Sequence, residues 1–248
     1  MVTVKPAAVK PTPTSSSVED YVKVIYAFTE WQDKPITSTQ LATRLGVANS
    51  SVSEMVRKLK DQGLVDHQPY SAVRLTAEGQ SLALSMVRRH RLLETYLVQE
   101  LGYSWDEVHD EAELLEHAVS DTFIERMDAK LGRPSRDPHG DPIPAADGSV
   151  TMPAAHRMSQ LDPGHSGRIT RISDHDPELL RYLDQQRIGL DAPIRVQGRK
   201  PFGGALVVRV GTGPAARDFD LTEEVSEALW VSPEGTHPGC TLTRTTLT

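Results

Sequence analysis

Hydrophobic positions along the N-terminal third recur with a helical period. From Val18 to Trp31 the residues Tyr21, Val24, Ile25 and Phe28 share one face, which predicts a helix broken by Asp33-Lys34-Pro35. Ile36 to Val47 predicts a short helix, capped at its start by Thr or Ser and stopped by Gly46. After Ala48-Asn49-Ser50, a second helix over Ser51–Gln62 turns Val52, Met55, Val56 and Leu59 inward. Two alternating stretches, Gly63 to His67 and Ala72 to Thr76, then flank the turn Pro69-Tyr70-Ser71. Helix, turn, helix and hairpin in that order predict a winged helix-turn-helix over residues 17–76. Its outward Ser50, Ser51, Ser53, Glu54, Arg57 and Lys58, with Thr39 and Asn49, are the candidate DNA contacts. Small side chains let a helix sink into a major groove while Arg and Lys reach phosphates or guanine edges. The plainer alternative is a helical hairpin with an ordinary basic surface.

Three further helices are predicted: Thr76 to Leu101, Ser104 to Glu116, and one after Ser120-Asp121 that is stopped by Gly132-Arg133-Pro134, so that residues 77–132 form a helical domain. Residues 133–163 are dense in Pro, Gly, Asp and Ala and read as a linker. Short strands follow at Gly167–Ile172, Ile194–Gln197, Ala205–Val210 and Arg217–Leu221, with a helix over Asp176–Gln186. They predict a small β-barrel over 164–231, between a disordered lead-in (1–16) and a frayed tail (232–248). The fold class expected is mainly α with a small β part.

Composition narrows the class. Hydrophobic residues at 38% and charged ones at 25% are those of a soluble globular protein. No apolar run reaches the roughly 20 residues of a membrane helix, and Met1 to Pro13 lacks a signal peptide's apolar core, so the expected location is cytoplasmic. Cys240 is the only cysteine, which excludes an internal disulfide. Net charge is −7, unevenly spread. Residues 1–96 hold 12 Lys and Arg against 9 Asp and Glu, residues 97–150 hold 4 against 13, and residues 151–248 hold 11 against 12. The basic side is where DNA would bind, and the acidic side is where a cation would be wanted.

That acidic side contains the chemistry. Read as a helix, Glu107–His117 puts His109, Glu113, Glu116 and His117 at i, i+4, i+7 and i+8, on one face. His90 and Glu94 form another i, i+4 pair, and Asp20 falls in the first turn of the first helix. Such a stripe is costly to bury unless a divalent cation neutralises it. The alternatives are a solvated acidic face and an exposed His–Glu pair. His67, His139, His156, His165, His175 and His237 are given no role.

Three stretches carry a resemblance: Arg89-His90-Arg91-Leu92-Leu93-Glu94, Val108 to His117, and Asp137-Pro138-His139-Gly140-Asp141-Pro142-Ile143-Pro144. Over residues 17–231 the chain resembles the diphtheria toxin repressor family of metal-dependent regulators, and within it the manganese transport regulators. The resemblance implies a principal site at Asp20, Glu113, Glu116 and His117 with a backbone carbonyl. It implies an ancillary site at His90, Glu94 and His109, completed by acids of a C-terminal SH3-like (FeoA-like) barrel, for which Asp174 and Asp176 are the candidates. Asp176 could instead cap a helix before Pro177-Glu178. Two-domain manganese members carry a glutamate where Lys23 stands, so their paired-metal arrangement is not expected. Iron-sensing members have Met and Cys at the positions of Asp20 and Glu113. Carboxylates there favour Mn(II), with Fe(II), Co(II) or Zn(II) as possible substitutes.

The implied function is a homodimeric, Mn(II)-activated repressor of uptake genes on palindromic double-stranded operator DNA. It would have no membrane partner and no small-molecule ligand besides the metal. Alternatives are an Fe(II)-dependent regulator of the same family, a metal-binding carboxylate enzyme, and a metal-independent winged-helix regulator. The second would need a Glu-x-x-His motif twice on a helical bundle, whereas the ligand-rich helix has the adjacent pair Glu116-His117 and no two copies exist. The third leaves the acidic stripe unexplained.

Overall fold

The computed structural model describes residues 15–32, 34–68 and 71–234. The lead-in over 1–14, the Pro69-Tyr70 turn, and Cys240 with the tail from 235 onward lie outside the described residues. The chain divides into two compact units, Met1–Val87 and Arg88–Thr248.

The first unit holds α1 (Ser16–Glu30), α2 (Ser38–Leu45), α3 (Asn49–Asp61), β1 (Val65–Asp66), β2 (Arg74–Leu75) and the start of α4 (Ala77–Leu101). Its helices form where the apolar period predicts, because Val18, Val22, Ile25, Leu41, Val52, Val56 and Leu59 bury together in one core. Thr37 and Gln40 close a capping box at the start of α2, and Gly46, at φ 64°, ends it in the left-handed conformation. β1 and β2 pair antiparallel, Val65 opposite Leu75, as a two-residue wing. Gly79 seats α4 against it: a Cβ there would lie 1.9 Å from the Leu64 carbonyl oxygen.

The second unit holds the rest of α4, α5 (Val108–Leu115), α6 (Asp121–Lys130), and a sheet with β3 (His156–Arg157), β4 (Ser166–Ile172), β5 (Pro193–Arg199), β6 (Leu206–Val210), β7 (Arg217–Leu221) and β8 (Leu229–Pro233). The helix α7 (Pro177–Gln186) and the short α8 (Glu223–Glu227) accompany the sheet. Leu92, Leu93 and Leu97 of α4 pack with Val108, Ala112, Ile124 and Met127 in one core. A second core lies between the sheet and α7, where Leu180 and Leu183 meet Ile169, Val196, Val208 and Val231.

The expected closed SH3-like β-barrel is corrected by the strand order, which is β3-β8-β4-β5-β6-β7. Closure requires the two outer strands to pair. Among the described residues β7 pairs with β6 and β3 with β8, so the sheet is open. The reason is legible in the edges. β3 is two residues long, and β7 exposes Arg217, Asp218 and Asp220, whose aspartates pair back to Arg209 and Lys200. Charged, short edges resist further pairing. β8, between β3 and β4 in the sheet, is a strand that period-counting missed.

Two local departures shape the site. α5 ends at Leu115, so Glu116 caps it and His117 lies in the turn beyond. The Glu116 N–H still reaches the Ala112 carbonyl, but the Ala118 N–H bonds back to Leu115, and Ser120 then caps α6 through the Phe123 N–H. The Pro- and Gly-rich stretch is packed where it crosses the unit: Asp137, His139, Asp141 and Ile143 are all buried.

Candidate metal centre

α4 presents His90 and Glu94 one turn apart, both buried. The His90 ring uses both nitrogens. Nδ1 lies 2.6 Å from Glu116 Oε2, while Nε2 lies 3.0 Å from Glu94 Oε1 and 3.2 Å from His109 Nδ1. Glu116 is fully buried, and its other oxygen lies 3.5 Å from His117 Nε2. His109, at the start of α5, is 3.3 Å from both Glu94 Oε1 and Asp174 Oδ2, the latter just past the end of β4. Glu113 lies one turn along α5, with its carboxylate 3.7 Å from His109 Nε2.

Within the second unit the structure thus brings several residues expected from the sequence close together, Glu94 with His109 and Asp174, and Glu116 with His117. Glu113 leans toward His109 and His90. Asp174 joins Glu94 and His109 in one cluster of mutually close donor atoms. Asp176 does not join it; its carboxylate caps α7 through the Glu178 and Leu179 N–H groups. Asp20 lies on α1 of the first unit, partly buried.

Two residues were missed. Asp137 and His139 come up to Glu94 from the Pro- and Gly-rich loop, with ligand atoms within 4.8 Å of one another and all three side chains buried. His139 Nε2 faces the Trp105 carbonyl at 2.7 Å, whereas Nδ1 is buried with no hydrogen-bond partner, 3.9 Å from Glu94 Oε2. A buried imidazole nitrogen left without a partner beside two carboxylates is what a cation site requires. The sequence offered them only as part of the Asp137 to Pro144 stretch that carries the resemblance, and its irregular backbone gave no spacing from which to bring them to Glu94. The donor set of imidazole and carboxylate, with no thiolate, fits a divalent cation of hard or borderline character.

Electrostatics agree with crowded carboxylates sharing positive charge. Burial alone would raise Glu94, but the charge on His90 and bonds from His109 and His90 hold it well below the usual carboxylate range. Asp174 is depressed in the same way, burial being outweighed by its bond to His109. Burial, with Asp141 and Glu94 nearby, pushes Asp137 up to about 8. Burial opposes charge on His109, yet the bonds to Asp174 and Glu94 prevail and raise it from 6.5 to about 11.

The sign of that last shift yields a prediction. In the metal-free protein the stabilisation from charged His109 is complete below pH 6.5 and is lost as pH rises toward about 11. Cation binding must displace the same proton, so affinity should rise over that interval as stability falls. Calorimetric titration of manganese(II) in buffers of different ionisation enthalpy should show net proton release near neutral pH. Zero release would contradict this protonation state.

On the first unit, Asn49, Ser50, Ser51, Ser53, Glu54, Arg57 and Lys58 are all exposed along α3, as is Thr39 on α2. α3 thus offers an uninterrupted polar face with a small-residue start.

Comparison with known proteins decides the class. Residues 13–73 match the iron dependent repressor N-terminal DNA binding domain, residues 76–145 its metal binding and dimerisation domain, and residues 156–233 the FeoA domain. The diphtheria toxin repressor of Corynebacterium efficiens is 35% identical over 187 residues, covering 73% of this chain and 80% of that one. The chain belongs to the diphtheria toxin repressor family. The iron-dependent repressor IdeR of Mycobacterium tuberculosis is 29% identical over 227 residues, covering 87% of this chain and 96% of its own. A solved manganese-dependent transcriptional repressor in complex with manganese has a TM-score of 0.84 at 51% identity, covering 88% of this chain and all of that one. The manganese regulator SloR has a TM-score of 0.73 at 33% identity, with 88% and 98% covered.

Diphtheria toxin repressor family members are metal-dependent, DNA-binding transcriptional repressors, so this chain is a regulator and not an enzyme. Family membership also implies dimerisation and binding to operator DNA. Among the described residues no helix is long and apolar enough to cross a membrane.

Proposed function

We propose that the chain is a homodimeric repressor activated by manganese(II), acting on palindromic double-stranded operator DNA to control manganese uptake genes. The observation that carries the choice of metal is the donor set. Carboxylates and imidazoles converge on α4, α5 and the end of β4 with no sulfur among them. Oxygen-rich sites with room for six or more ligands suit manganese(II), although raw affinity favours zinc or copper. Similarity to a solved manganese-bound repressor supports the same reading.

In this reading Asp20, Glu113, Glu116 and His117 form the principal site. His90, Glu94, His109 and Asp174 form the ancillary one, extended by Asp137 and His139. Asp176 is left as a helix cap. A bound cation supplies the positive charge that lets these carboxylates sit together. His90 orients Glu116 by its Nδ1 contact, so that Oε1 and His117 Nε2 are presented side by side. Asp20 belongs to the reading head and Glu116 to the helical core. Joining them restricts the recognition helices of a dimer to an arrangement that fits successive major grooves. A hundredfold preference for that arrangement, about 2.7 kcal/mol, suffices for a substantial switch. The coupling is reciprocal, so operator DNA tightens metal binding.

The test is a pair of titrations of palindromic operator duplex, one with manganese(II) and one with chelator. Affinity should be at least a hundredfold higher with the metal; equal affinities would end the proposal. Parallel arms with iron(II), cobalt(II) and zinc(II) rank the substitutes.

A further inference from the structure

Arg91, Asp141 and Arg171 are three charged side chains that the metal reading leaves unassigned, and all are buried, at 7%, 3% and 7% exposure. Arg171 sits at a bulge in β4, where the register against β8 shifts between Ile169 and Arg171. The bulge places Arg171 and Ile172 both on the buried side. The Arg171 Nε donates to Asp141 Oδ1 at 2.7 Å, and its guanidinium lies 4.1 Å from the Trp230 ring centroid. Arg157 lies over the same ring at 4.9 Å. From the other side, Arg91 reaches Asp141 Oδ1 at 3.6 Å and Asp137 Oδ2 at 3.5 Å, and donates to the Pro142 carbonyl at 2.6 Å. The loop carrying Asp137 and His139 is thus gripped by α4 through Arg91 and by β4 through Arg171. Backbone contact completes the grip, because the Ile172 N–H donates to the His139 carbonyl at 2.8 Å.

Each member of this row lies within three residues of a proposed ligand. Glu94 follows Arg91 on α4, His139 precedes Asp141 in the loop, and Asp174 follows Arg171 past the end of β4. We propose that Arg171 is a positioning residue for the ancillary metal site: its bond to Asp141 holds Asp174 against His109 and Glu94, and so determines whether the C-terminal sheet contributes a ligand. This inference rests on the metal reading of that cluster. Stability alone is a poor reason for the pair, since buried ion pairs are commonly replaceable by apolar residues of similar volume. A guanidinium is suited to the task because one edge meets the carboxylate while its face stacks on the indole. Lysine keeps the charge and loses the stacked plane.

The experiment is manganese(II) titration calorimetry on the full chain, with far-UV circular dichroism and thermal unfolding of each metal-free variant. Asp174→Ala marks the binding class that uses the sheet's ligand, and His117→Ala marks the other. Arg171→Met should weaken the first class ten- to hundredfold, the usual range for supporting residues around a metal, and leave the second at wild-type affinity. Arg171→Lys should recover part of the loss. Should Arg171→Met fold poorly because Asp141 loses its nearer cation, the double variant Arg171→Met/Asp141→Asn removes both charges, and it should fold and still show the weakened class. A folded double variant with wild-type affinity in both classes overturns the inference, even if its melting temperature falls. A wild-type protein without an Asp174-sensitive class overturns the metal reading itself, and this inference with it.

Discussion

Replacing Glu116 with alanine should raise the manganese(II) concentration needed for half-maximal operator binding by a hundredfold or more. Glu116 is fully buried and its two oxygens face different partners, Oε2 toward His90 Nδ1 at 2.6 Å and Oε1 toward His117 Nε2 at 3.5 Å. Alanine removes a ligand oxygen of the proposed principal site and also the acceptor that fixes the His90 ring. Each loss acts on a different cluster, so both binding classes should weaken. A hundredfold change corresponds to about 2.7 kcal/mol, within the cost of deleting one partner from a buried charged contact. Glu116→Gln, which keeps the shape and loses the charge, should fall between. Mobility-shift titrations against manganese(II) read the effect directly, and an unchanged midpoint for the alanine variant would remove Glu116 from the switch.

Gly140→Ala should destabilise the second unit by about 3 kcal/mol or more. Gly140 adopts φ +93°, where an L side chain is strained, and a Cβ would lie 2.1 Å from the Thr170 carbonyl oxygen and 2.9 Å from Arg171 Cα. Those are backbone atoms of β4 and cannot rotate aside. Gly148 provides the control: its φ is +82°, yet no atom lies within 4 Å of where its Cβ would be. Gly148→Ala carries only the conformational penalty, roughly 1 kcal/mol. Urea unfolding of metal-free protein should separate the two variants by at least 2 kcal/mol, about the excess expected from a backbone overlap. Equal losses would mean that the loop does not press on β4 as the structure has it.

Much of this molecule can be read from local pattern, and the exceptions share a cause. α1, α3 and α4 emerge where the apolar period places them, since a helix buries its own stripe and needs no knowledge of its neighbours beyond their presence. The i, i+4 relations of His90 with Glu94 and of His109 with Glu113 are intrahelical, so they too were visible. The continuation to Glu116 and His117 was drawn as helix, but α5 ends at Leu115, with Glu116 as its cap and His117 in the turn beyond. The sheet defeated the same method. β8 is paired by residues some 60 positions away, and the closed barrel was inferred from strand count without the edge pairing that would have tested it.

By itself the sequence determined the winged reading head, the helical middle and the pairings of His90 with Glu94 and of His109 with Glu113, because each depends on spacing within one element. Tertiary structure alone decided which donors meet. Glu94, Asp137, His139 and Asp174 come from three elements, and their convergence depends on how the 137–142 loop is packed against α4 and β4. Spacing along a chain sets distances only while the backbone is regular; once it passes through loops and a bulged strand, long-range packing sets them instead.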